Sequence, residues 1–472
     1  MSKILMQFIK NWWVIQMPKI IKDLRPYQKE DAKFLSTLDT GACFNEQRTG
    51  KTPTILEVCR LKNCKKVLIV CPKSATPQWV REYKTWLGQP CVMAEGTKTQ
   101  KEKAIATWTH GLVISYDGLK TTVRSEGFIK DILKENPDMV ILDEAHRIKN
   151  PKSANAKAAF ALMKIKNRFV LTATPAHGKP EEIYSLLHFI KPEQYASYWG
   201  FINKYFKVKQ VYMGARTFKE IVGFQFGKDA QLITELKAFS TQRKRKEVMQ
   251  WLPEKDYQQI FLEPTVQQKK YLDDLQQFYE TEHITTEGTL DRLIRYRQIC
   301  LDPRLLDLKS KSPKVEWLKT FIAEHTEKSI IIFSKFTSFI KLLKEDLKNE
   351  KMDCIIGSTS TEKRAKLIEA FQNKNLRVLL INIDAGKEAL TLDQADITIF
   401  TDKYPPYGDI AQAEDRFVAT TKNKADKEHT IYELILKDTY DEQLYNLVNI
   451  RASSTDVINN YKKYLKRRSE DE

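Results

Sequence analysis

Residues 140–146 read Val140-Ile141-Leu142-Asp143-Glu144-Ala145-His146, an apolar run that ends in two carboxylates and a histidine. Upstream, Gly50-Lys51-Thr52 closes a segment typical of a phosphate-binding loop. An apolar strand can place two carboxylates at its tip, where a nucleotide site needs them. We therefore expect Asp143 to hold Mg²⁺ and Glu144 to orient the water that attacks a phosphoryl group.

The phosphate-loop prediction depends on residues 45–52, Asn-Glu-Gln-Arg-Thr-Gly-Lys-Thr. They nearly fit G-x-x-x-x-G-K-[ST], with Asn45 at the position of the first glycine. Gly50 lets backbone N–H groups approach phosphate, Lys51 reaches the β- and γ-phosphates, and Thr52 can ligate Mg²⁺. A chance Gly-Lys-Thr in a turn is the alternative. The apolar run before the segment and the helical run after it favour nucleotide binding.

The composition of the 472-residue chain is ordinary except for its charge. Hydrophobic residues make up 42% and charged residues 29%, as in soluble proteins, whereas the net charge is +17 and the pI near 9.2. Such an excess favours a polyanionic partner, most often nucleic acid, although a generic basic surface is the alternative. Length alone predicts about three domains.

Cysteine usage and hydropathy indicate a compartment and exclude a membrane span. The seven cysteines form no C-x-x-C pair, which favours free thiols in a reducing compartment and no structural zinc. Lys3 and Lys10 interrupt the apolar N-terminus, and no apolar run reaches the roughly 18 residues of a membrane span. No secretory signal pattern is present. We expect a cytoplasmic protein, in the host cell if the chain is phage-encoded, with no membrane partner.

Short apolar runs alternate with helix-like stretches in both halves of the chain, which predicts α/β lobes built on parallel sheets. Strand candidates are 41–44, 67–71, 112–115, 139–142 and 168–171, then 330–333, 353–356, 378–381, 397–400 and 430–435. A mainly helical region between them includes a helix over 266–279. The predicted divisions are an N-terminal extension 1–23, a first lobe 24–190, the middle region 191–312, a second lobe 313–450 and a charged tail 451–472.

These motifs occur in an order that resembles the Swi/Snf-like branch of the superfamily-two helicase-fold ATPases, over about residues 24–445. In the first half the resemblance is carried by 24–28, 41–52, 67–73 with Gln78, Trp79 and Glu82, 113–117, 143–150, 171–175 and 182–189. Later it is carried by 242–246 with Leu252-Pro253, 297–300 with Pro303, 331–336, 357–359 with Arg364, 385–392 and 412–416.

The resemblance implies two RecA-like lobes with ATP and Mg²⁺ in the cleft. Matched to the motifs, the ATP-binding residues are Arg25, Gln28, Gly50, Lys51, Thr52, Asp143 and Gly386, and the Mg²⁺ ligands are Thr52 and Asp143. Catalysis falls to Glu144, Lys51, Gln412 and Arg416. The residues matched to coupling between ATP and lobe closure are His146, Thr172 and Thr174. For His146 a structural role is the alternative, because a lone histidine is usually structural.

The resemblance also implies a DNA track that contacts phosphates without reading sequence. The matched residues are Lys73, Ser115, Tyr116, Arg243, Lys244, Arg245, Ser334, Lys335 and Thr391. For single positions a solvated loop residue is an equal alternative. The run Arg243–Lys246 could be a solvated charge cluster, and Trp79 is expected in the core.

The sequence departs from the family pattern in two places, and we expect the loss of the second arginine to affect catalytic rate rather than ATP binding. Lys387 and Ala389 stand where the family usually has glycines, and Ala419 stands where it usually has a second arginine. Arg416 is then the main candidate to reach the γ-phosphate, with Lys422 a weak substitute.

We expect a DNA-stimulated ATPase that translocates on duplex DNA as a monomer. It would remodel branched DNA by fork or junction branch migration, or displace proteins, in replication or recombination. The chain as given has no long accessory domain, which favours a compact bacteriophage or bacterial type over a chromatin remodeller. The alternatives are a strand-separating DNA or RNA helicase, and a nucleotide-gated DNA clamp with little turnover.

Overall fold

A computed structural model of the protein describes residues 23–119, 127–176, 179–213, 216–249, 256–277, 280–281, 284–285, 289–348, 350–386, 392, 394–402 and 429–446. They fall into two compact units, which divide between Val248 and Met249. We call them the first and the second unit. Each is built on its own parallel sheet.

The first unit contains a seven-stranded sheet and an antiparallel hairpin. Its strands are β1 Thr40–Cys43, β2 Val67–Cys71, β3 Cys91–Ala94, β4 Gly111–Ser115, β5 Met139–Asp143, β6 Asn167–Leu171, β7 Phe206–Met213, β8 Arg216–Phe224 and β9 Ser240–Thr241. The sheet order is β3-β4-β2-β5-β6-β1-β9, with every pair parallel, and β7 pairs with β8 in the hairpin.

Helices cover both faces of this sheet, which explains why its strands are continuous apolar runs. The helices are α1 Pro26–Ser36, α2 Lys51–Leu61, α3 Thr76–Leu87, α4 Lys98–Ala106, α5 Gly127–Lys134, α6 Ala154–Ala161, α7 Tyr184–Ile190, α8 Tyr198–Tyr205, α9 Lys228–Lys237 and α10 Arg245–Val248. In β5, Met139 and Ile141 join the hydrophobic cluster beneath α1–α3, whereas Val140 and Leu142 join the cluster beneath α4–α7. The carboxyl edge is left to polar residues.

The second unit repeats the pattern with a six-stranded parallel sheet of order β10-β17-β16-β13-β15-β14. Its strands are β10 Asp256–Leu262, β11 Glu280–Thr281, β12 Ile284–Thr285, β13 Ile330–Ser334, β14 Met352–Ile355, β15 Val378–Asn382, β16 Ile397–Phe400 and β17 Thr430–Leu436. Its helices are α11 Val266–Gln277, α12 Thr289–Leu301, α13 Pro313–Glu324, α14 Thr337–Asp346, α15 Thr361–Gln372 and α16 Ile383–Gly386. Strand β13 packs Ile331 and Phe333 toward α15, and Ile330 and Ile332 toward α13 and α14.

The prediction of two parallel-sheet lobes is confirmed, and all ten predicted strands are found within one residue at each end. The middle region, predicted to be mainly helical, contains the helices α8 to α12 among its described residues. It also contains the strands β7 to β12, which the sequence did not predict; β9 joins the first sheet and β10 the second. In β7, Lys207 and Lys209 alternate with Phe206 and Val208, a period-two pattern that indicates a half-buried strand.

No helix among the residues described is both long and apolar enough to cross a membrane.

Candidate nucleotide site

Three predicted motifs meet at the carboxyl edge of the first sheet. Strand β6 lies between β1 and β5, and its last residue, Leu171, is in register with both Cys43 and Asp143. The backbone N–H of Thr172 donates a hydrogen bond to the carbonyl oxygen of Cys43, 3.2 Å away. The phosphate loop, the acid pair and the coupling segment therefore leave adjacent strands at one edge, where ligands of α/β sheets bind.

The phosphate loop requires its glycine for two reasons. Gly50 has a φ of +81°, and a Cβ there would lie 2.1 Å from Nε2 of Gln28. Helix α2 begins at the next residue, Lys51, whose Nζ donates to the carbonyl oxygens of Asn45 at 3.0 Å and Glu46 at 3.2 Å. The lysine thus folds over the loop, and backbone N–H groups at the start of α2 can bind phosphate.

The first turn of α1 is fixed to the same loop. Gln28 Nε2 donates to the carbonyl oxygen of Thr49 at 3.0 Å, and Gln28 Oε1 accepts from the backbone N–H of Arg25 at 2.9 Å. The hydroxyl of Tyr27 donates to the same Thr49 oxygen at 2.7 Å. Gln28 therefore lies against the phosphate loop, and its contact with ATP stays a prediction.

Asp143 is held by hydrogen bonds to both its side chain and its backbone. Trp79 Nε1–H donates to Oδ2 at 2.7 Å, the backbone N–H of Glu144 donates to Oδ1 at 3.0 Å, and the Tyr116 hydroxyl donates to the backbone oxygen at 2.9 Å. Loss of hydration, and then the charge of Glu144, raise the pKa of Asp143 to about 6, although the Trp79 hydrogen bond and Lys51 oppose the shift.

His146 connects the acid pair to the coupling segment. Its Nδ1 lies 3.4 Å from Oε2 of Glu144 and 3.3 Å from Oγ1 of Thr172. The hydroxyl oxygen of Thr172 also accepts the backbone N–H of Thr174 at 3.2 Å. Glu144 itself has a φ of +47°, a conformation that non-glycine residues adopt mainly where the surroundings enforce it. Hydrogen bonds thus join the three predicted coupling residues, and the ring of His146 also lies within ion-pair distance of the predicted catalytic acid.

The residues at this edge suit ATP and Mg²⁺. The start of α2 and the Lys51 ammonium present positive charge and N–H donors, which phosphates require. The Thr52 hydroxyl and the Asp143 carboxylate offer oxygen ligands, which Mg²⁺ prefers together with phosphate oxygens. Lys51 lies close enough to Asp143 for its positive charge to lower the pKa of the carboxyl group, so the two predicted binding groups interact electrostatically.

The predicted basic brace binds the phosphate loop. Arg243 Nε donates to Oδ1 of Asp31 at 2.9 Å, and Asn45 Nδ2 donates to Oδ2 of the same carboxylate at 2.8 Å. Asp31 is buried, and Arg243 also pairs with Glu30 at 2.6 Å. The backbone N–H of Arg245 donates to Oε2 of Glu46 at 2.8 Å. We therefore correct the expectation for Arg243: its guanidinium holds the loop, so we do not expect it to contact DNA.

The sequence reasoning missed Asp31 and the role of Trp79. A weak signal existed for Asp31, because it follows Gln28 by three residues and so shares its face of α1. No local signal pointed from Trp79 to Asp143, which is 64 residues away.

The other predicted DNA contacts in the first unit divide into exposed and buried side chains. Lys73 is exposed, and Lys244 and Arg245 are partly exposed. Ser115 is buried and its Oγ accepts the backbone N–H of Gly118 at 3.0 Å, while Tyr116 is buried beside Asp143. Burial removes the side chains of Ser115 and Tyr116 from the surface, so we no longer expect them to touch phosphate directly.

In the second unit, Ser334 is buried rather than exposed toward DNA. Its Oγ donates to Oδ1 of Asp402 at 2.7 Å, and the backbone N–H of Lys335 donates to the same carboxylate. Lys335 Nζ pairs with Asp384 at 2.7 Å. Burial raises the pKa of Asp402, an effect opposed by the charge of Arg297. The expectation of a direct DNA contact by Ser334 is therefore corrected to a role in holding Asp402.

The remaining predicted residues follow β15 in the sequence. Gly386 is the last residue of α16. Thr391, Gln412, Arg416, Ala419 and Lys422 lie outside the described residues.

Comparison with known families accounts for this arrangement. The profile of the SNF2-related domain matches residues 15–305, more than half of the chain. This chain belongs to the SNF2-related family. The profile of the helicase conserved C-terminal domain matches residues 313–418 of this SNF2-related protein. The predicted family resemblance is thereby confirmed.

Curated relatives are similar over most of this SNF2-related chain. It is 28% identical over 449 residues to "Probable ATP-dependent DNA helicase CHR12" of Arabidopsis thaliana, covering 85% of this chain and 39% of that protein. It is 24% identical over 453 residues to "DNA annealing helicase and endonuclease ZRANB3" of Bos taurus, covering 93% and 40%. The chain thus spans about 40% of the length of these relatives.

Among solved structures, the chain is similar to the Sulfolobus solfataricus SWI2/SNF2 ATPase core in complex with dsDNA. The identity is 21%, the coverage 94% of both chains and the TM-score 0.44.

Proposed function

We propose that this SNF2-related protein hydrolyses ATP in response to DNA and uses the cycle to move along duplex DNA. One observation carries the proposal: the Lys51 loop, the pair Asp143-Glu144 and the chain from His146 to Thr172 lie together at one sheet edge. The first unit then contains the residues proposed to bind the nucleotide, to activate water and to couple the ATP site to lobe closure.

Each residue at the edge has a distinct role in this reaction. Lys51 and the start of α2 bind the β- and γ-phosphates of ATP. Thr52 and Asp143 would hold Mg²⁺, which when bound offsets phosphate charge. Glu144 orients the attacking water and accepts its proton, and His146 carries the position of Glu144 to Thr172. Gln412 and Arg416 are proposed to complete the site around the γ-phosphate.

The proposed partner is duplex or branched DNA, bound without sequence preference. The net charge of +17 and the exposed Lys73 support a phosphate-binding surface. The names of the relatives, a DNA helicase and a DNA annealing helicase, support DNA as the substrate class. Branch migration at forks or four-way junctions, in replication or recombination, is the specific activity that we propose.

The ATPase proposal is tested by Glu144→Gln. We expect steady turnover to fall by about 10²-fold or more, because a positioned general base is lost, while ATP binding is retained. Turnover by phosphate release and binding of a fluorescent ATP analogue measure the two effects. Unchanged turnover would refute the role of Glu144. Negligible turnover by the wild-type protein with every nucleic acid would favour the nucleotide-gated clamp, which Ala419 motivates.

The DNA proposal is tested by comparing substrates under one salt condition. Duplex DNA, single-stranded DNA, RNA, a fork and a four-way junction are each added to the ATPase assay, and the fork and junction are also followed by gel for ATP-dependent products. We expect duplex or branched DNA to stimulate best and the branched substrates to be remodelled. Best stimulation by RNA would refute duplex translocation, and no product from either branched substrate would refute remodelling.

A further inference from the structure

Two buried aromatic side chains hold Asp143 from opposite faces of the first sheet. Trp79 belongs to the hydrophobic cluster beneath α1–α3 and Tyr116 to the cluster beneath α4–α7. Trp79 donates to the carboxylate of Asp143 and Tyr116 to its backbone oxygen, at 2.7 and 2.9 Å. Both aromatic residues are 2% exposed, so little freedom remains for either hydrogen bond.

The helix that carries Trp79 directly follows a short turn that begins at the exposed Lys73. The chain from Lys73 to Ala75 is a single 3-10 turn, and α3 begins at Thr76. The Thr76 hydroxyl lies 2.8 Å from the Lys73 carbonyl oxygen, which ties the turn to the helix. Trp79 lies one turn further along α3. A displacement of this turn by a phosphate bound at Lys73 would thus be transmitted to the indole N–H.

Tyr116 makes the equivalent link on the other face. It follows the last residue of β4, Ser115, whose Oγ accepts the backbone N–H of Gly118 and so closes the turn. This turn and the turn at Lys73 follow neighbouring parallel strands, β4 and β2, and therefore lie at the same edge. Although the side chains of Ser115 and Tyr116 are buried, a ligand bound at this edge can move the backbone that carries Tyr116.

We infer that Trp79 and Tyr116 are positioning residues that connect DNA contact at this edge to the Asp143 carboxylate. The inference rests on the proposed function, because it assigns the source of DNA stimulation to two hydrogen bonds in the first unit. A carboxylate that accepts an indole N–H in poorly hydrated surroundings makes a charge-assisted hydrogen bond, which fixes its orientation. Partners of this kind tune metal ligands, and their removal weakens metal binding by about 10- to 100-fold.

The experiment compares Trp79→Phe with Trp108→Phe in the full-length chain. Trp108 is the matched control, because it is equally buried in the first unit and its Nε1–H donates to the carbonyl oxygen of His110, remote from Asp143. ADP binding is measured by calorimetry with and without Mg²⁺. Duplex DNA binding is measured without nucleotide, and ATPase rate is measured against Mg²⁺ with and without DNA.

For Trp79→Phe we expect the half-saturating Mg²⁺ concentration to rise about 10-fold. DNA stimulation should fall more than the DNA-free rate, while DNA affinity and Mg²⁺-free ADP affinity are retained. Trp108→Phe should lower thermal stability without changing the half-saturating Mg²⁺ concentration or the stimulation by DNA. Equal Mg²⁺ requirement and equal stimulation in the two variants would overturn the inference. If the wild-type protein showed no DNA stimulation, the proposed function would fail, whereas the Mg²⁺ dependence of ADP binding would still decide whether Trp79 positions Asp143.

Tyr116→Phe tests the second hydrogen bond, with Tyr205→Phe as its control. Tyr205 is fully buried in the first unit, and its hydroxyl donates to Glu235 at 2.6 Å. Removing one hydroxyl leaves the ring packing intact in both variants. We expect Tyr116→Phe to raise the Mg²⁺ requirement in the same direction as Trp79→Phe, and Tyr205→Phe to leave it unchanged. Identical Mg²⁺ dependence of Tyr116→Phe and Tyr205→Phe would remove Tyr116 from the inference.

Discussion

The Mg²⁺ ligation that we propose for Asp143 requires an ionised carboxylate, yet the protein places this residue where ionisation is unfavourable. Loss of hydration and the adjacent Glu144 raise its pKa to about 6, against the opposing effects of Trp79 and Lys51. Because the folded-state pKa lies above the unfolded value, the ionised carboxylate destabilises the metal-free fold at neutral pH. If Asp143 holds Mg²⁺ as we propose, the bound metal offsets this loss of stability.

The substitution Asp143→Asn tests whether the ionised carboxylate lowers the stability of the fold. The penalty from ionised Asp143 is present above pH 6 and disappears as the pH falls from about 6 to about 4, where folded and unfolded states are both protonated. In EDTA at pH 7.5 we expect the variant to unfold at a higher temperature than the wild-type protein, with a difference that shrinks at lower pH. Thermal unfolding across this pH range measures it. A difference that is constant with pH would contradict the assignment.

At the scale of elements, the phosphate loop is a continuation of β1 that α1 and the segment after β9 hold in place. Phe44 N–H donates to the carbonyl oxygen of Thr241 at 2.8 Å, and Glu46 N–H to that of Arg243 at 3.0 Å. The buried Asp31 carboxylate then joins Asn45 to Arg243. Two separate parts of the chain, α1 and the segment from the end of β9 to Arg243, thus set the shape of the first half of the loop.

Arg243→Ala removes one of these attachments. It leaves the buried Asp31 carboxylate with the Asn45 amide but without its guanidinium, which we expect to lower the stability of the first unit by about 1–3 kcal/mol. Thermal unfolding with and without ATP measures the loss, which ATP should partly restore. Lys244→Ala is the control, because it removes a neighbouring charge and leaves Asp31 paired. If the two variants are equally stable, Arg243 is a solvated charge instead.

At the scale of the whole molecule, the net charge of +17 favours the long-range attraction to nucleic acid that we propose. The structure restricts which charges contribute through close contact. Arg243 and Lys335 are paired with carboxylates, whereas Lys73 is exposed at the carboxyl edge of the first sheet.

The salt dependence of DNA binding separates these groups. We expect the logarithm of the binding constant to fall linearly with the logarithm of salt, and Lys73→Ala to reduce the slope by about one phosphate contact. Lys134→Ala is the control, since Lys134 ends α5 just before β5 begins and so lies at the opposite edge of the sheet. Fluorescence anisotropy over a salt series gives the slopes. Equal slopes for the two variants would remove Lys73 from the DNA track.

The alternation of apolar runs with helical stretches predicted both sheets, because a strand buried on both faces needs only its own residues to be recognised. The Gly-Lys-Thr loop and the Asp-Glu pair were likewise readable, since each is a local pattern at the end of a strand. The pairing of β7 with β8 does not follow from composition, because the aromatic and lysine residues of this region suit helices as well as strands; only the period of two in β7 indicates a strand.

What the sequence by itself determined about this protein is its two-sheet architecture and its family, and it also supplied the candidates for the nucleotide site in the first unit. Only the tertiary structure decided which side chains support that site. Trp79 reaches Asp143 across 64 residues and Arg243 reaches Asp31 across 212, because the order of strands in the sheet brings their ends together. Sheet order also buries Tyr116 and Ser334, which motif position alone had assigned to DNA. A hydrogen bond depends on where two chain segments meet, and no local pattern specifies that meeting.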